Sequence, residues 1–249
     1  MDVFFRMSIA EKNIEVMCHH QTVFKQCKAY LSNFNTPDLQ ITITPEELET
    51  AVADLPPIME HYDGVATTRF YGDAESRVVH EKIALEMLSF DTFLLHGAVV
   101  AYENYAYVFI APSGVGKTTR IKLWLDVYPE SFIVNGDKPL IKIKDYEAVA
   151  CGTPWCGKEG YNTNAIVPIR AIFLLERADN GEESLIKQLS VGQAFPALLQ
   201  QVYKPKNLER LLKTIQLIKK LDGKVLFYKF RSTPTTEAIR LAYETARPR

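Results

Sequence analysis

The sequence lacks any apolar run long enough to cross a membrane. Its longest apolar stretches, such as residues 93–102, span about ten residues, whereas a spanning helix needs roughly twenty. The first residues also lack the basic segment and the long apolar core of a secretory signal. We therefore expect a cytoplasmic protein that has no membrane partner.

Cysteine is scarce, and the four cysteines are scattered along 249 residues. This is too few for a disulfide framework. Cys151 and Cys156 are separated by four residues but have no matching Cys/His pair elsewhere, which argues against a zinc site. We expect all four to be reduced thiols.

An excess of either charge is also absent, because 29 lysines and arginines face 30 aspartates and glutamates. This balance, and the lack of a basic stripe, argue against a nucleic-acid partner. Apolar residues make up 47% of the chain, which is ordinary for a globular protein. The length suffices for one main domain with a smaller companion.

The hydrophobic pattern of residues 1–90 predicts a small N-terminal α+β subdomain. We expect a hairpin over residues 7–18 and a strand over 39–44, where apolar and polar residues alternate. A proline and Glu47 follow Thr44, which predicts a capped helix start.

A second helix of this region is expected over residues 74–88, with Asp73 as its cap. Residues 91–249 predict a larger α/β domain, in which strands mix with helices around one loop-then-helix turn. Strands are expected at 93–102, 105–111, 132–134, 140–143, 148–151, 167–175, 185–189 and 225–230, and helices at 117–127, 191–202, 207–221 and 234–247.

One segment matches a specific motif. Residues 111–118, APSGVGKT, fit the phosphate-binding loop known as Walker A, except that Ala111 replaces the first glycine. An apolar strand precedes the loop and a helix follows it, which is the context that the motif requires. Gly114 and Gly116 permit the close backbone approach that lets N–H groups and a helix N-terminus surround phosphate oxygens.

ATP and Mg²⁺ are therefore the expected ligands. Lys117 would supply positive charge to the β- and γ-phosphate oxygens, and Thr118 would offer a hydroxyl to the metal. The alternative is a glycine turn with an exposed lysine. The residues expected to contact the nucleotide are Ser113, Gly114, Val115, Gly116, Lys117, Thr118 and Thr119.

A carboxylate for the metal is expected at Asp137. This residue follows the predicted strand 132–134, and ligands of α/β sheets bind at the carboxyl ends of strands. The alternative is a surface aspartate in the turn before Lys138 and Pro139.

The order of several motifs resembles the kinase domain of the HPr kinase/phosphorylase family, and most closely a branch of stand-alone HPr-kinase-like proteins. The likeness covers roughly residues 93–199, with a weaker echo in the region before it. The motifs are, in order, His96-Gly97, the segment 111–119, the run NGDKP at 135–139, the run GTPW at 152–155, Gly157-Lys158, Asn164 and Val167-Pro168.

The resemblance implies a mixed-sheet P-loop kinase core related to the phosphoenolpyruvate carboxykinases. It implies ATP·Mg-dependent phosphorylation of a hydroxyl, typically of a serine in a protein, a peptide or a free amino acid. Lys117 and Thr118 then contact phosphate and metal, and Asp137 matches the second acid of the family's Asp-Asp pair, which helps to hold Mg²⁺. His96 matches the histidine beside the active site, although its chemistry alone is also explained by a hydrogen-bonded structural residue.

The first acid of that pair, the proton acceptor in the family's enzymes, is replaced here by Gly136. Asp137 could serve both roles, His96 could take the proton, or catalysis could be lost, leaving a module that binds ATP or a peptide. Loose phosphoryl-transfer transition states need little help from a base, so turnover does not require the missing acid. A carboxykinase acting on a small enolate would need a further metal-ligating cluster, which the sequence does not offer.

The turn-rich segment 152–158 has two interpretations. It is either a packed turn anchored by Trp155, or a loop that closes over the transferred phosphate with Lys158 as a catalytic cation. Arg120, one turn into the helix after the loop, could face phosphate or solvent. The identity of the acceptor and the oligomeric state stay open.

Overall fold

The computed structural model describes residues 2–54, 64–179 and 182–248, and the chain divides into two compact units, Met1–Glu86 and Met87–Arg249. Within the described residues there are twelve strands and seven α-helices, which confirms a mixed α/β architecture. None of the helices described is both long enough and apolar enough to cross a membrane.

The first unit contains a sheet of three strands, β1 (Val3–Ile9), β2 (Lys12–Cys18) and β3 (Leu39–Thr42). β1 and β2 form the predicted hairpin, and β3 runs parallel to β2. The hairpin turns on Ala10 and Glu11, whose φ angles of 52° and 64° suit the twist of a two-residue connection.

Three helices belong to this unit: α1 (Gln21–Cys27), α2 (Pro45–Ala53) and α3 (Gly64–Glu86). The predicted cap of α2 is confirmed, because the Glu47 N–H donates to Thr44 Oγ1 at 3.3 Å and the Thr44 N–H donates to Glu47 Oε2 at 2.9 Å.

The predicted start of α3 at Asp73 is wrong, because Asp73 lies inside the helix. Gly72, directly before it, lies against α1, and a Cβ added there would come within 2.4 Å of Thr22 Oγ1. A glycine at this position serves close helix packing, and an exposed aspartate inside a helix costs only a few tenths of a kcal/mol more than a better helix former.

The second unit is built on a nine-stranded sheet. Four α-helices accompany it: α4 (Lys117–Val127), α5 (Val191–Gln201), α6 (Leu208–Lys219) and α7 (Thr236–Ala246). The strands are β4 (Thr92–Leu94), β5 (Ala98–Tyr102), β6 (Tyr105–Ile110), β7 (Phe132–Asn135), β8 (Leu140–Ile143), β9 (Ala148–Cys151), β10 (Ile166–Arg177), β11 (Leu185–Leu189) and β12 (Leu226–Ser232).

The sheet is mixed, with three parallel strands, β6, β10 and β12, at its centre. Beyond β6, β5 pairs antiparallel with β6, and β7 pairs antiparallel with β5. On the other side, β11 pairs antiparallel with β12. β10 is long enough to belong to two parts of the sheet. Its first residues pair with β9, which continues through β8 to β4, while its later residues pair with β6 and β12.

The apolar run 93–102, predicted as one strand, is two strands with different partners. β4 pairs with β8, whereas β5 pairs with β6 and β7. Between them the chain hydrogen-bonds elsewhere: the His96 N–H donates to the Gln201 carbonyl at 2.7 Å, and the Gly97 N–H donates to the Asp137 carbonyl at 2.9 Å. Hydrophobicity alone could not reveal this exchange of partners.

Helices cover both faces of the central strands. One face packs against α5 and α6 through residues such as Leu198 and Leu217, and the other packs against α4 and α7 through residues such as Trp124 and Ile239. Successive residues of β6 alternate between the two cores, as the pleat of a strand requires. This arrangement fixes the carboxyl end of β6, where the predicted phosphate loop begins.

Candidate functional site

The segment between β6 and α4 has the strand–loop–helix context that the motif predicts. Gly114 and Gly116 both have left-handed backbones, with φ of 83° and 102°, which side chains rarely tolerate. A Cβ added at Gly114 would meet no protein atom within 4 Å, so the loop faces open space there. No side chain caps α4, and its first N–H groups can therefore bind an anion.

Lys117, the first residue of α4, folds back across the loop. Its Nζ donates a hydrogen bond to the Ala111 carbonyl at 2.9 Å, and the residue is only 8% exposed. Burial lowers the pKa of Lys117, and the negative charge of Asp137 opposes that effect. The lysine is thus a buried cation beside an anion, which contradicts the alternative of a glycine turn with an exposed lysine.

Arg120 faces neither phosphate nor solvent, in contrast to both expectations for it. Its guanidinium is buried and donates to the Val115 carbonyl at 3.2 Å, to the Ser232 carbonyl at 2.8 Å and to Ser232 Oγ at 3.0 Å. Arg120 therefore ties the loop to the end of β12. Sequence analysis missed this role because Ser232 lies 112 residues further along the chain.

Asp137 and His96 come together beside the loop. Asp137 Oδ1 lies 3.2 Å from His96 Nε2, and both side chains keep partial access to solvent. Burial alone would raise the pKa of Asp137, but the hydrogen bond from His96 and the charges of His96, Lys138 and Lys117 outweigh it and lower the pKa. Asp137 is therefore a carboxylate held in its charged form.

The turn that carries Asp137 is organised by a buried amide. Asn135, at the end of β7, accepts the N–H groups of Asp137 at 2.9 Å and Lys138 at 2.7 Å on its Oδ1 atom. Its Nδ2 group donates to the Thr153 carbonyl at 3.0 Å and to Thr153 Oγ1 at 3.1 Å. One side chain thus fixes both the Asp137 turn and the segment that follows β9.

Gly136 lies close to the backbone of a neighbouring segment. A Cβ added there would lie 3.1 Å from the Cys156 carbonyl oxygen and 3.4 Å from both Cβ and the carbonyl oxygen of Tyr161. The Gly136 N–H also donates to the Tyr161 carbonyl at 2.9 Å. A side chain at this position would therefore require the neighbouring backbone to shift by a few tenths of an ångström.

The segment 152–158 is a packed turn that contacts the turn carrying Asp137. Gly152 is required by space, because a Cβ there would lie 1.8 Å from the Thr163 carbonyl oxygen. Trp155 is buried, and a Cβ on Gly157 would lie 3.3 Å from Asp137 Cβ. Lys158 is exposed, and no hydrogen bond or ion pair joins it to another residue that the structure describes.

The other predicted nucleotide contacts line the loop at different depths. Ser113, Gly114 and Thr119 are exposed, whereas Val115, Gly116 and Thr118 are partly buried. Of the predicted catalytic residues, the structure brings Lys117, Asp137 and His96 together. Lys158 forms no hydrogen bond or ion pair with any of the three.

The donor set beside the loop fits a magnesium ion better than a zinc ion. The described residues contain no cluster of three His, Cys, Asp or Glu side chains that could hold a metal by themselves. Magnesium sites commonly use one or two carboxylates together with substrate phosphates and water, and Asp137 and the Thr118 hydroxyl suit that pattern. Cys151 and Cys156 are buried free thiols, and burial raises the pKa of Cys156.

Comparison with known proteins gives a distant likeness to a solved structure. No protein-family model matches this chain, and no curated protein matches it. Among solved structures, the chain is similar to the Hpr(Ser) kinase/phosphatase from Coxiella burnetii, with 11% sequence identity over 51% of this chain and 88% of that chain, at a TM-score of 0.29. A likeness of this size establishes neither the family nor the activity of the chain.

Proposed function

We propose that this chain is an ATP·Mg-dependent phosphotransferase that passes the terminal phosphate to a hydroxyl group of a serine-type acceptor. One observation carries the proposal. A buried lysine closes over a glycine loop at a helix N-terminus, and it lies in the field of a carboxylate that a histidine contacts. Phosphoryl transfer depends on positive charge around the phosphates and on a metal-binding acid, and a nearby proton acceptor assists it.

The loop residues bind the nucleotide in this proposal. Backbone N–H groups of residues 113–118 hold the phosphates, and Lys117 neutralises charge on their oxygens. Thr118 and Asp137 would hold Mg²⁺, which supplies further charge neutralisation on the phosphate that is transferred. Asp137 suits a metal because its pKa is held low, chiefly by His96 against the opposing effect of burial.

His96 accepts the acceptor's proton in this proposal. Its Nε2 lies 3.2 Å from the Asp137 carboxylate, which orients the ring, and its side chain is 39% exposed. Gly136 cannot supply the base, so the pair of His96 and Asp137 replaces the missing acid. Because little base assistance is needed, orientation of the hydroxyl contributes more than proton removal.

A non-catalytic module that binds ATP or a peptide is the second candidate. Gly136 favours it, because a glycine offers no side chain where the resemblance places the base. The two candidates differ only in turnover. Transfer of labelled phosphate from ATP to any hydroxyl acceptor would exclude the module.

Calorimetry of ATP binding, with and without Mg²⁺, tests the proposal first. Wild type and Lys117→Ala are compared with Lys219→Ala, which removes an exposed lysine from the last turn of α6. We expect magnesium-dependent binding in wild type and in Lys219→Ala, and its loss in Lys117→Ala. Absence of ATP binding in wild type would disprove the phosphotransferase and any module that binds ATP.

His96→Ala then separates binding from chemistry. We expect ATP·Mg binding to be retained and phosphate transfer to fall by roughly 10²-fold, the lower end of the range for loss of a general base, because the transition state needs little base assistance. Unchanged transfer in this variant would remove His96 from the mechanism.

A further inference from the structure

A cleft of about 610 Å³ opens beside the phosphate loop. Its size is that of a site for a small molecule or a short peptide segment. The cleft lies between the carboxyl ends of the central strands and one side of α5. Its lining includes Ala111 and Pro112 at the loop, Arg177 and Lys229 from the strands, and Ala197 and Gln201 from α5.

The cleft adjoins the end of the loop where the terminal phosphate would lie. In a phosphate loop the lysine reaches the β- and γ-phosphates. Here the Lys117 ammonium lies 2.9 Å from the Ala111 carbonyl oxygen, and Ala111 and Pro112 line the cleft. A nucleoside is joined to the opposite end of the triphosphate, so the cleft is better placed for a group that reacts with the γ-phosphate.

The α5 side of the cleft is also bonded to the segment that carries His96. Gln201 lines the cleft, and its carbonyl accepts the His96 N–H at 2.7 Å. The same histidine contacts Asp137 through its ring. A molecule bound in the cleft would thus be next to the loop on one side and next to Gln201, which holds the backbone of His96, on the other.

The lining indicates what kind of molecule would bind. It combines apolar side chains with the carboxamides of Gln200 and Gln201, which can donate to and accept from peptide groups. Glu176 and Lys229 neutralise each other in an ion pair of 2.8 Å. Arg177 is exposed, and no hydrogen bond or ion pair links its guanidinium to another residue in the described part of the chain.

We propose that this cleft is the acceptor site, and that the acceptor is a peptide segment whose carboxylate binds Arg177. The apolar and carboxamide lining suits a peptide, and an uncompensated guanidinium favours a planar carboxylate. This inference rests on the proposed function and adds to it the location and the chemical class of the acceptor.

The transfer step needs no reactant beyond ATP, the acceptor hydroxyl and His96. The hydroxyl oxygen of the acceptor forms a bond to the γ-phosphorus of ATP. The bond between that phosphorus and the β,γ-bridging oxygen breaks, and ADP leaves with the electron pair. The hydroxyl proton passes to His96 Nδ1, because Nε2 already donates its own proton to Asp137.

The first test fills the cleft while leaving the loop unchanged. The probe is an array of serine peptides with acidic, amide or basic residues around the serine, incubated with labelled ATP·Mg. Ala197→Trp is compared with Gln216→Trp, which adds the same side chain to an exposed position of α6. We expect Ala197→Trp to lower kcat/KM for peptides by about 100-fold or more, the cost of misplacing a reactant, while ATP·Mg affinity stays within about twofold of wild type.

Three results would overturn the assignment. Loss of ATP·Mg affinity in Ala197→Trp, but not in Gln216→Trp, would make the cleft a nucleoside site. Unchanged peptide transfer in Ala197→Trp would place the acceptor elsewhere. Binding of ATP·Mg by wild type without transfer to any array peptide would exclude the peptide class. If Ala197→Trp fails to fold, Gln200→Leu with the same readouts takes its place, with a loss of about tenfold in kcat/KM expected for one hydrogen bond.

The second test concerns the carboxylate. Arg177→Glu should raise KM for acidic peptides by about tenfold or more and should lower KM for basic peptides. Arg240→Glu, a charge reversal at an exposed position of α7, should change neither KM. Equal kcat/KM of wild type for acidic and amide peptides would exclude recognition of a carboxylate by Arg177. Failure of wild type to bind ATP·Mg would instead overturn the proposed function, and the acceptor site with it.

Discussion

The phosphate loop and the Asp137 corner lie side by side but are held by different kinds of interaction. We call residues 135–138, with the turn 152–157 that covers them, the Asp137 corner. The loop is shaped by neighbours in sequence, namely two left-handed glycines and a lysine that bonds six residues back. The corner is assembled from distant segments through Asn135, Gly97 and Tyr161. A loop that is held by local interactions keeps its conformation when other segments change. The Asp137 corner, in contrast, needs every segment that contributes a hydrogen bond to it.

Replacing Asn135 should have the largest effect and should break the corner. Asn135→Leu leaves the N–H groups of Asp137 and Lys138 and the partners on Thr153 without their buried amide. Because each unsatisfied buried group costs about 1–3 kcal/mol, we expect a loss of about 3 kcal/mol or more in the free energy of unfolding. Denaturant unfolding measures the change.

Asn35→Ala, at an exposed position in the first unit, is the control for Asn135→Leu and should change stability by less than about 0.5 kcal/mol. A loss below about 1 kcal/mol in Asn135→Leu would show that the corner does not depend on this amide.

The next largest effect is expected at Gly152, and it tests the steric side of the same corner. Gly152→Ala places a Cβ 1.8 Å from the Thr163 carbonyl oxygen, so the backbone of one segment must move. Overpacking of this kind costs about 1–3 kcal/mol, and we expect the upper part of that range. Gly160→Ala, where an added Cβ meets no atom within 4 Å but φ is 73°, separates the steric clash from backbone strain. A loss below about 1 kcal/mol in Gly152→Ala would rule out the clash.

Arg120 is the exception in the loop, since its partner Ser232 is distant in sequence. Arg120→Lys keeps the charge but cannot donate to the Val115 carbonyl and to both oxygens of Ser232 at once. We expect a loss of about 1–2 kcal/mol in stability and weaker ATP·Mg binding, measured by thermal unfolding and calorimetry. Arg240→Lys, exposed on α7, should be neutral. Wild-type ATP affinity in Arg120→Lys would show that the loop keeps its shape without this tie.

The same contrast explains what sequence alone could predict. The loop, the glycine positions and the bounds of α4 follow from residues within one short segment, and the structure has α4 over the predicted residues. Other features depend on segments that meet only after folding. These are the division of 93–102 into β4 and β5, the burial of Arg120, and the close approach of Cys156 and Tyr161 to Gly136. Asn135 belongs to the NGDKP run, but its role could not be predicted from that run, because a buried amide is defined by its partners and not by its neighbours in sequence.

Gly114→Ala should have the smallest effect on stability and the most direct bearing on function. The substitution forces alanine into a left-handed backbone, which costs about 1–2 kcal/mol, but the added Cβ meets no protein atom within 4 Å. If the open space beside Gly114 holds phosphate, the methyl group enters it, and ATP·Mg affinity should fall by more than the tenfold that about 1.4 kcal/mol of strain could explain. Gly223→Ala, with φ of 71° and also no atom nearby, measures the strain alone and should leave ATP affinity unchanged. Equal stability losses in the two variants with unchanged ATP affinity in Gly114→Ala would mean that the loop binds no phosphate at this residue.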